Sequence, residues 1–144
     1  MKTLLAILAL ALISLMPAAF ADEHSKMGDK IMEKAHNGAH VVVFYSDTCG
    51  SCKIMDPVMK EAMGALNAEK YQVVKFDFST AETIEATKTL AAEKNVDAVL
   101  QKYGAKTGFA IVLNSNGEEV GKLTKADNSA EMAAKISGAI LGGA

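Results

Sequence analysis

Arginine and tryptophan are absent from this chain of 144 residues, while cysteine occurs twice, proline twice and histidine three times. Each shortage excludes something. Without arginine there is no bidentate fork for phosphates or base edges, and the lysines are scattered rather than clustered, so a nucleic-acid partner is not expected. A structural zinc site needs four ligands, usually two pairs of Cys or His. Only His24, His36 and His40 remain besides the cysteines, and none lies beyond the start of the first strand signal. The prolines are Pro17 and Pro57, so no later turn can use proline chemistry. No internal repeat or low-complexity linker divides the chain.

Long uncharged runs are also scarce, with one exception at the start. "MKTLLAILALALISLMPAAFA" places Lys2 ahead of a leucine- and alanine-rich stretch, then Pro17, then Ala19-Phe20-Ala21. This is the pattern of a secretory signal peptide with a small-residue cleavage site. A retained membrane anchor is the competing reading, because the uncharged stretch approaches the roughly 20 residues that span a bilayer. Cleavage after Ala21 is favoured by the small residues there and by the polar "DEHSK" that follows. No cysteine stands at the cleavage site, so lipidation there is not expected. Residues 22–144 then form a single domain with enough chain for a core. Loss of Lys2 leaves 14 lysines against 17 acidic residues, a net charge of −3.

Periodicity gives the elements. Met27, Ile31 and Ala35 recur at helical spacing ahead of Asn37-Gly38. "HVVVFYS" (40–46) is a continuous β-branched and aromatic run, as in a central strand buried on both faces. Beyond "CGSCK" (49–53), the residues Met55, Val58, Met59, Ala62, Met63 and Leu66 trace one helical face. "YQVVKFDF" (71–78) predicts a second strand, and Ser79-Thr80-Ala81-Glu82 a capping box opening a helix. Asn95 is placed to break that helix, and Val96, Val99, Leu100 and Tyr103 form a further stripe ending at Gly104. "FAIVLNSNGEEVGKL" (109–123) predicts a hairpin around Asn116-Gly117. Asn128-Ser129-Ala130-Glu131 then opens a last helix carrying Ala133, Ile136 and Ile140. The order α, β, α, β, α, β, β, α calls for an α/β domain: a central mixed sheet of about four strands with helices on both faces.

The two cysteines therefore fall where a buried strand hands over to a helix. A thiol at a helix N-terminus meets unpaired N–H groups and the positive end of the helix dipole, which favour the thiolate. Cys49 is the expected nucleophile. Two intervening residues bring Cys52 within reach in the first helical turn, where it can resolve a mixed disulfide. Gly50 and Ser51 are small enough to admit a protein substrate; Lys53 adds a cation that Asp47 opposes. Duller readings stand beside this one. The pair could be a structural bridge, although closing so short a loop removes little chain entropy. Met55, Met59 and Met63 with His36 and His40 could be soft ligands for a metal such as Cu(I). The methionines share a stripe with Val58, Ala62 and Leu66, which points to core packing, and His36 and His40 flank a turn where solvated surface is expected.

Taken together, "NGAHVVVFYSDTCGSCKIMDP" and "KYGAKTGFAIVLNSNGEEVGKL" resemble the thioredoxin family over nearly the whole of residues 22–144. The resemblance implies a thioredoxin-like fold and a thiol–disulfide oxidoreductase with Cys49 and Cys52 as catalytic residues; the alternatives are a module that keeps the CxxC to bind Cu(I) or an iron–sulfur cluster, and a redox-inert binding module. Thr48, Gly50, Ser51, Lys53 and Phe109 would line the active-site loop and substrate groove. It implies no dissociable cofactor and no resident metal. The expected partners are protein thiols and disulfides, with a membrane-bound electron donor or acceptor as a candidate, and the expected state is a periplasmic or secreted monomer. The sequence departs from the family pattern at four positions. The family's tryptophan before the first cysteine, proline inside the motif, buried strand aspartate and cis-proline correspond to Thr48, Ser51, Val43 and Phe109. A cis bond before a residue other than proline costs about 2.5–4 kcal/mol, so the bond before Phe109 is expected to be trans, or strained. The connection between Phe78 and Tyr103 is longer than in a minimal thioredoxin; it either presents a partner surface or thickens one face.

Protein recovered from its native host is expected to begin at Asp22, as read by N-terminal sequencing. An N-terminus at Met1 in a membrane fraction would replace secretion with tethering.

Overall fold

Strand β1 (Ala39–Tyr45) is apolar apart from His40 and the Tyr45 hydroxyl because it is central. The computed structural model describes residues 38–142; the expected signal peptide and the helix expected around Met27, Ile31 and Ala35 lie outside the described residues. β2 (Tyr71–Asp77) pairs with β1 in parallel, and β3 (Phe109–Leu113) lies antiparallel on its other side. β4 (Glu119–Thr124) completes the sheet antiparallel to β3, giving the order β2-β1-β3-β4. Successive side chains of a strand point to opposite faces. Ala39 and Val41 accordingly enter one core, while Val42 and Phe44 enter a second core on the other face.

Helices close both cores. α1 (Gly50–Gly64) and α4 (Ser129–Leu141) cover the first, contributing Met55, Met59 and Ala62 from one and Met132, Ile136 and Ala139 from the other. α2 (Ala81–Glu93) and α3 (Asp97–Tyr103) cover the second with Leu90, Ala91, Val99, Leu100 and Tyr103. This is the mixed sheet of four strands with helices on both faces. The long connection after Phe78 is thus two helices, broken at Asn95, whose φ of +54° is a left-handed conformation that asparagine tolerates better than most residues. No helix among the described residues is long and apolar enough to cross a membrane.

Several local expectations shift. His40 is not on a solvated turn: it is 1% exposed, locked in β1 between Gln72 of β2 and Leu113 of β3. The turn ends earlier, at Gly38, whose φ is +133° and where an added Cβ would press within 3.1 Å of the Lys70 carbonyl oxygen. The capping box of α2 is Thr80 with Thr83 rather than Ser79 with Glu82. Ser79 is already engaged, donating to Asp77 and accepting from the Asp47 N–H at 3.0 Å. α4 is capped as expected by Asn128 and Glu131, but its deepest residues are Met132, Ile136 and Ala139, with Ala133 and Ile140 at the flank of that face. Lys135 anchors this helix to the β4 end by donating to Asp127 at 2.6 Å and to the Lys122 carbonyl at 3.0 Å.

Candidate functional site

The CGSCK segment begins one tight turn after β1. The Cys49 N–H donates to the Ser46 carbonyl at 3.1 Å, which ends the strand and sets Cys49 as the N-cap of α1 with φ −80° and ψ 106°. An N-cap side chain accepts from the exposed amides of the first turn. Here the acceptor is sulfur: the Cys52 N–H points at Cys49 Sγ from 3.1 Å. No acidic residue occupies the first turn of α1, so nothing within that turn cancels the positive end of the dipole. Cys49 and Cys52 are joined as a disulfide across a Cα–Cα separation of 5.3 Å.

The two sulfurs have unlike surroundings. Cys49 is only partly buried, whereas Cys52 is 6% exposed with its Sγ 3.6 Å from the Phe44 carbonyl oxygen. The backbone groups facing the two sulfurs also differ: an amide at Cys49 and a carbonyl at Cys52. The arrangement leaves Cys49 the more accessible of the two sulfurs, with Cys52 behind it.

Thr48 is exposed, with its hydroxyl 3.3 Å from that of Ser46. Gly50 and Lys53 are exposed at the start of α1, and an added Cβ on Gly50 would meet nothing within 4 Å. Ile54, just beyond, is a large apolar side chain 54% exposed. Asp47 accepts the Tyr45 phenol at 2.9 Å. That hydrogen bond, then burial and the nearby charges of Asp47, Asp77 and Asp56, hold the phenol above its ordinary pKa. Tyr45 also carries the Lys75 ammonium 3.5 Å above its ring.

Phe109 lines a cleft with Cys52, but its ring belongs to the second core, stacked on Phe44 with centroids 4.6 Å apart and tilted against Tyr103 at 5.3 Å. Against Cys49 itself the close approach is made by the residue before Phe109. Gly108 is the residue against Cys49: a Cβ built there would stand 3.4 Å from Cys49 Sγ and 2.9 Å from Ser51 Cβ. Its φ of +91° suits glycine, and its N–H donates to the Phe44 carbonyl at 3.0 Å. Sequence reasoning missed Gly108 because it placed the family's cis-proline position at Phe109, one residue later; the signal was a glycine directly before β3. It also missed the Phe44 carbonyl, which leaves no trace in side-chain chemistry.

Val43 shares the cleft with Cys52 and packs on the first core, so the central strand offers the buried sulfur no carboxylate at that position. Among the described residues, no group of three or more His, Cys, Asp or Glu side chains is placed to hold a metal ion. Met55 and Met59 lie beside Cys52 and are 3% and 6% exposed, packed into the first core.

Gly108→Ala is expected to destabilise the oxidised protein by about 1–3 kcal/mol, the cost of a non-glycine residue held in a sparsely populated backbone region, with the Ser51 collision added to it. Ser51→Gly in the same chain should recover the collision and leave the backbone strain, as read by denaturant unfolding. Unchanged stability in Gly108→Ala would show that the loop does not press on the cysteines.

The thioredoxin family model matches residues 21–138. Among solved structures, the chain is similar to a thiol:disulfide interchange protein of the thioredoxin family from Chlorobium tepidum TLS. Identity is 14% over 74% of this chain and 83% of that one, with a TM-score of 0.51. It is also similar to Trxlp from Edwardsiella tarda EIB202, at 18% identity over 76% of this chain and 91% of that one, with a TM-score of 0.49. No curated protein matches. The fold and the disulfide-linked CxxC pair at a helix start support a thiol–disulfide oxidoreductase in general. With the family match running through nearly all of the described sheet and helices, the chain belongs to the thioredoxin family.

Proposed function

We propose that this protein exchanges disulfides with protein substrates outside the cytoplasm through its CGSC motif, with Cys49 as the attacking sulfur and Cys52 as the resolving one. The observation that carries the reading is the 3.1 Å hydrogen bond from the Cys52 amide to Cys49 Sγ at the start of α1. A sulfur so placed is stabilised as the thiolate and is also the better leaving group when the disulfide is reduced. Cys49 is the more accessible of the pair, and exposed Gly50 and Ile54 flank it with a small and an apolar surface suited to an extended polypeptide. The signal-peptide pattern in residues 1–21 supports a secreted or periplasmic setting, where disulfides persist. A membrane-bound donor or acceptor of electrons would complete the cycle there, and no dissociable cofactor is needed for the exchange itself.

A second reading has one observation in its favour. Met55 and Met59 lie beside Cys52, so a reduced protein would gather thiolate and thioether sulfur at one place, a donor set that suits Cu(I).

Limited alkylation of the reduced protein with iodoacetamide at neutral pH, read by mass spectrometry, is expected to label Cys49 before Cys52. Cys52→Ser should then retain a substrate as a mixed disulfide on Cys49, resolved on a non-reducing gel, while Cys49→Ser retains none. Labelling of Cys52 first, or trapping by Cys49→Ser alone, would reverse the assigned roles.

A further inference from the structure

Cys52 must become a thiolate before it can resolve a mixed disulfide, because the thiolate and not the thiol attacks sulfur. Its surroundings oppose that form. It is 6% exposed, the Phe44 carbonyl oxygen stands 3.6 Å from its Sγ, where it would accept the S–H of a reduced Cys52, and its own amide is committed to Cys49. Burial and a hydrogen bond to the neutral form both raise a thiol's pKa. A base must come from elsewhere.

The cleft against Cys52 has a volume of about 20 Å³, room for about one water. Its lining is apolar except for Tyr45 and Asp56. Tyr45 is unsuited, since its phenol donates to Asp47 and is held protonated by that bond and by the negative charges around it. Asp56 stands one helical turn after Cys52, and side chains four apart share a helix face and lean toward the N-terminus, toward the preceding turn. Its carboxylate pairs with Lys60 at 2.8 Å, and its side chain is 53% exposed, so a proton it receives can pass to bulk solvent.

We propose that Asp56 is the proton acceptor for Cys52, acting through one water in this cleft when Cys52 resolves a mixed disulfide. The inference rests on the redox reading above and adds a residue to it. In the mixed disulfide, Cys49 Sγ is bonded to the partner's sulfur. The Cys52 thiol gives its proton to the water as the water gives one to Asp56, and the Cys52 thiolate bonds to Cys49 Sγ. The bond between Cys49 and the partner breaks, the partner leaves as a thiolate, and it takes up a proton that Asp56 returns through solvent. The dithiol is oxidised to a disulfide, and the partner is reduced by the same two electrons. Asp56 acts through the water and so positions the proton path without touching either sulfur. The other charged or titratable groups that face the cleft's lining residues are Lys60 from α1, which pairs with Asp56, Asp47, Lys75 and Asp77 about Tyr45, and Lys122, whose ammonium stands 4.4 Å from the Phe109 ring centroid.

Reaction of the reduced protein with dithiobis(nitrobenzoate) separates the two steps: Cys49 releases the first thionitrobenzoate by attack, and Cys52 releases the second by resolution. Asp56→Asn is expected to slow the second release by about tenfold or more at neutral pH, at or below the usual range for a general base. The first release should stay within about twofold, which also reports an intact fold. The second release should become steeply dependent on pH in Asp56→Asn, and Asp56→Glu should restore both its rate and its profile. A second release that is unchanged or faster in Asp56→Asn overturns the inference, because loss of a negative charge alone would favour the Cys52 thiolate. So does one that stays slow in Asp56→Glu. Wild-type protein that releases no second thionitrobenzoate would instead refute the redox reading, and the role of Asp56 with it.

Discussion

The carbonyl group of Phe44 is where the core of this protein reaches its chemistry. It accepts the Gly108 N–H at 3.0 Å and stands 3.6 Å from Cys52 Sγ, so one oxygen sets both the loop ahead of β3 and the buried sulfur. Its position is fixed from the other end of the same residue. The Phe44 ring meets those of Phe76, Phe78, Tyr103 and Phe109 at centroid separations of 5.2, 6.0, 5.7 and 4.6 Å. Aromatic pairs of this kind contribute about 0.5–1.5 kcal/mol each beyond the area they bury. Register does the rest, since Phe44 is paired with Phe76 on one side and with Phe109 on the other. A shift of one residue in β1 would carry this carbonyl, and the site with it, to the opposite direction of the sheet.

From that fixed point the asymmetry of the two cysteines follows. The N-terminus of α1 presents its free amides to Cys49 and turns Cys52 inward, where it meets a carbonyl instead of an N–H. The difference arises from backbone groups, which no substitution at the motif removes. The residues around the motif modify access: Gly50 and Ile54 leave an exposed surface, and Gly108 lets the opposing loop come within van der Waals reach of Cys49.

Much of the fold is legible in the sequence because burial imposes periodicity. The unbroken apolar run of β1 signals a strand covered on both faces, and the stripe through Met55, Met59 and Ala62 signals the buried side of α1. Stops and starts are legible where side chains enforce them, as at Asn95, Gly104 and Asn128. What is illegible depends on competition or on backbone. Ser79 has the chemistry of a cap but is drawn away by Asp77 and Asp47, leaving Thr80 to cap α2. His40 has a polar side chain, yet its place between two strands outweighs that preference. At the site, the pairing of the two cysteines is plain from spacing. The contact of Gly108 with Cys49 is not, since it comes from long-range pairing of β1 with β3 and carries no side-chain signal.

The central claim is that the bridge between Cys49 and Cys52 is a reversible redox centre rather than a bolt or a metal clip. Equilibrating the protein from residue 22 onward in glutathione buffers of graded potential, with alkylation to count thiols and metal analysis of each sample, tests it most directly. The account predicts a single two-electron transition in which both thiols appear together and reverse on reoxidation, with metal well below one equivalent throughout. A disulfide that persists through the most reducing buffer, or a reduced protein that retains a full equivalent of soft metal, would contradict it.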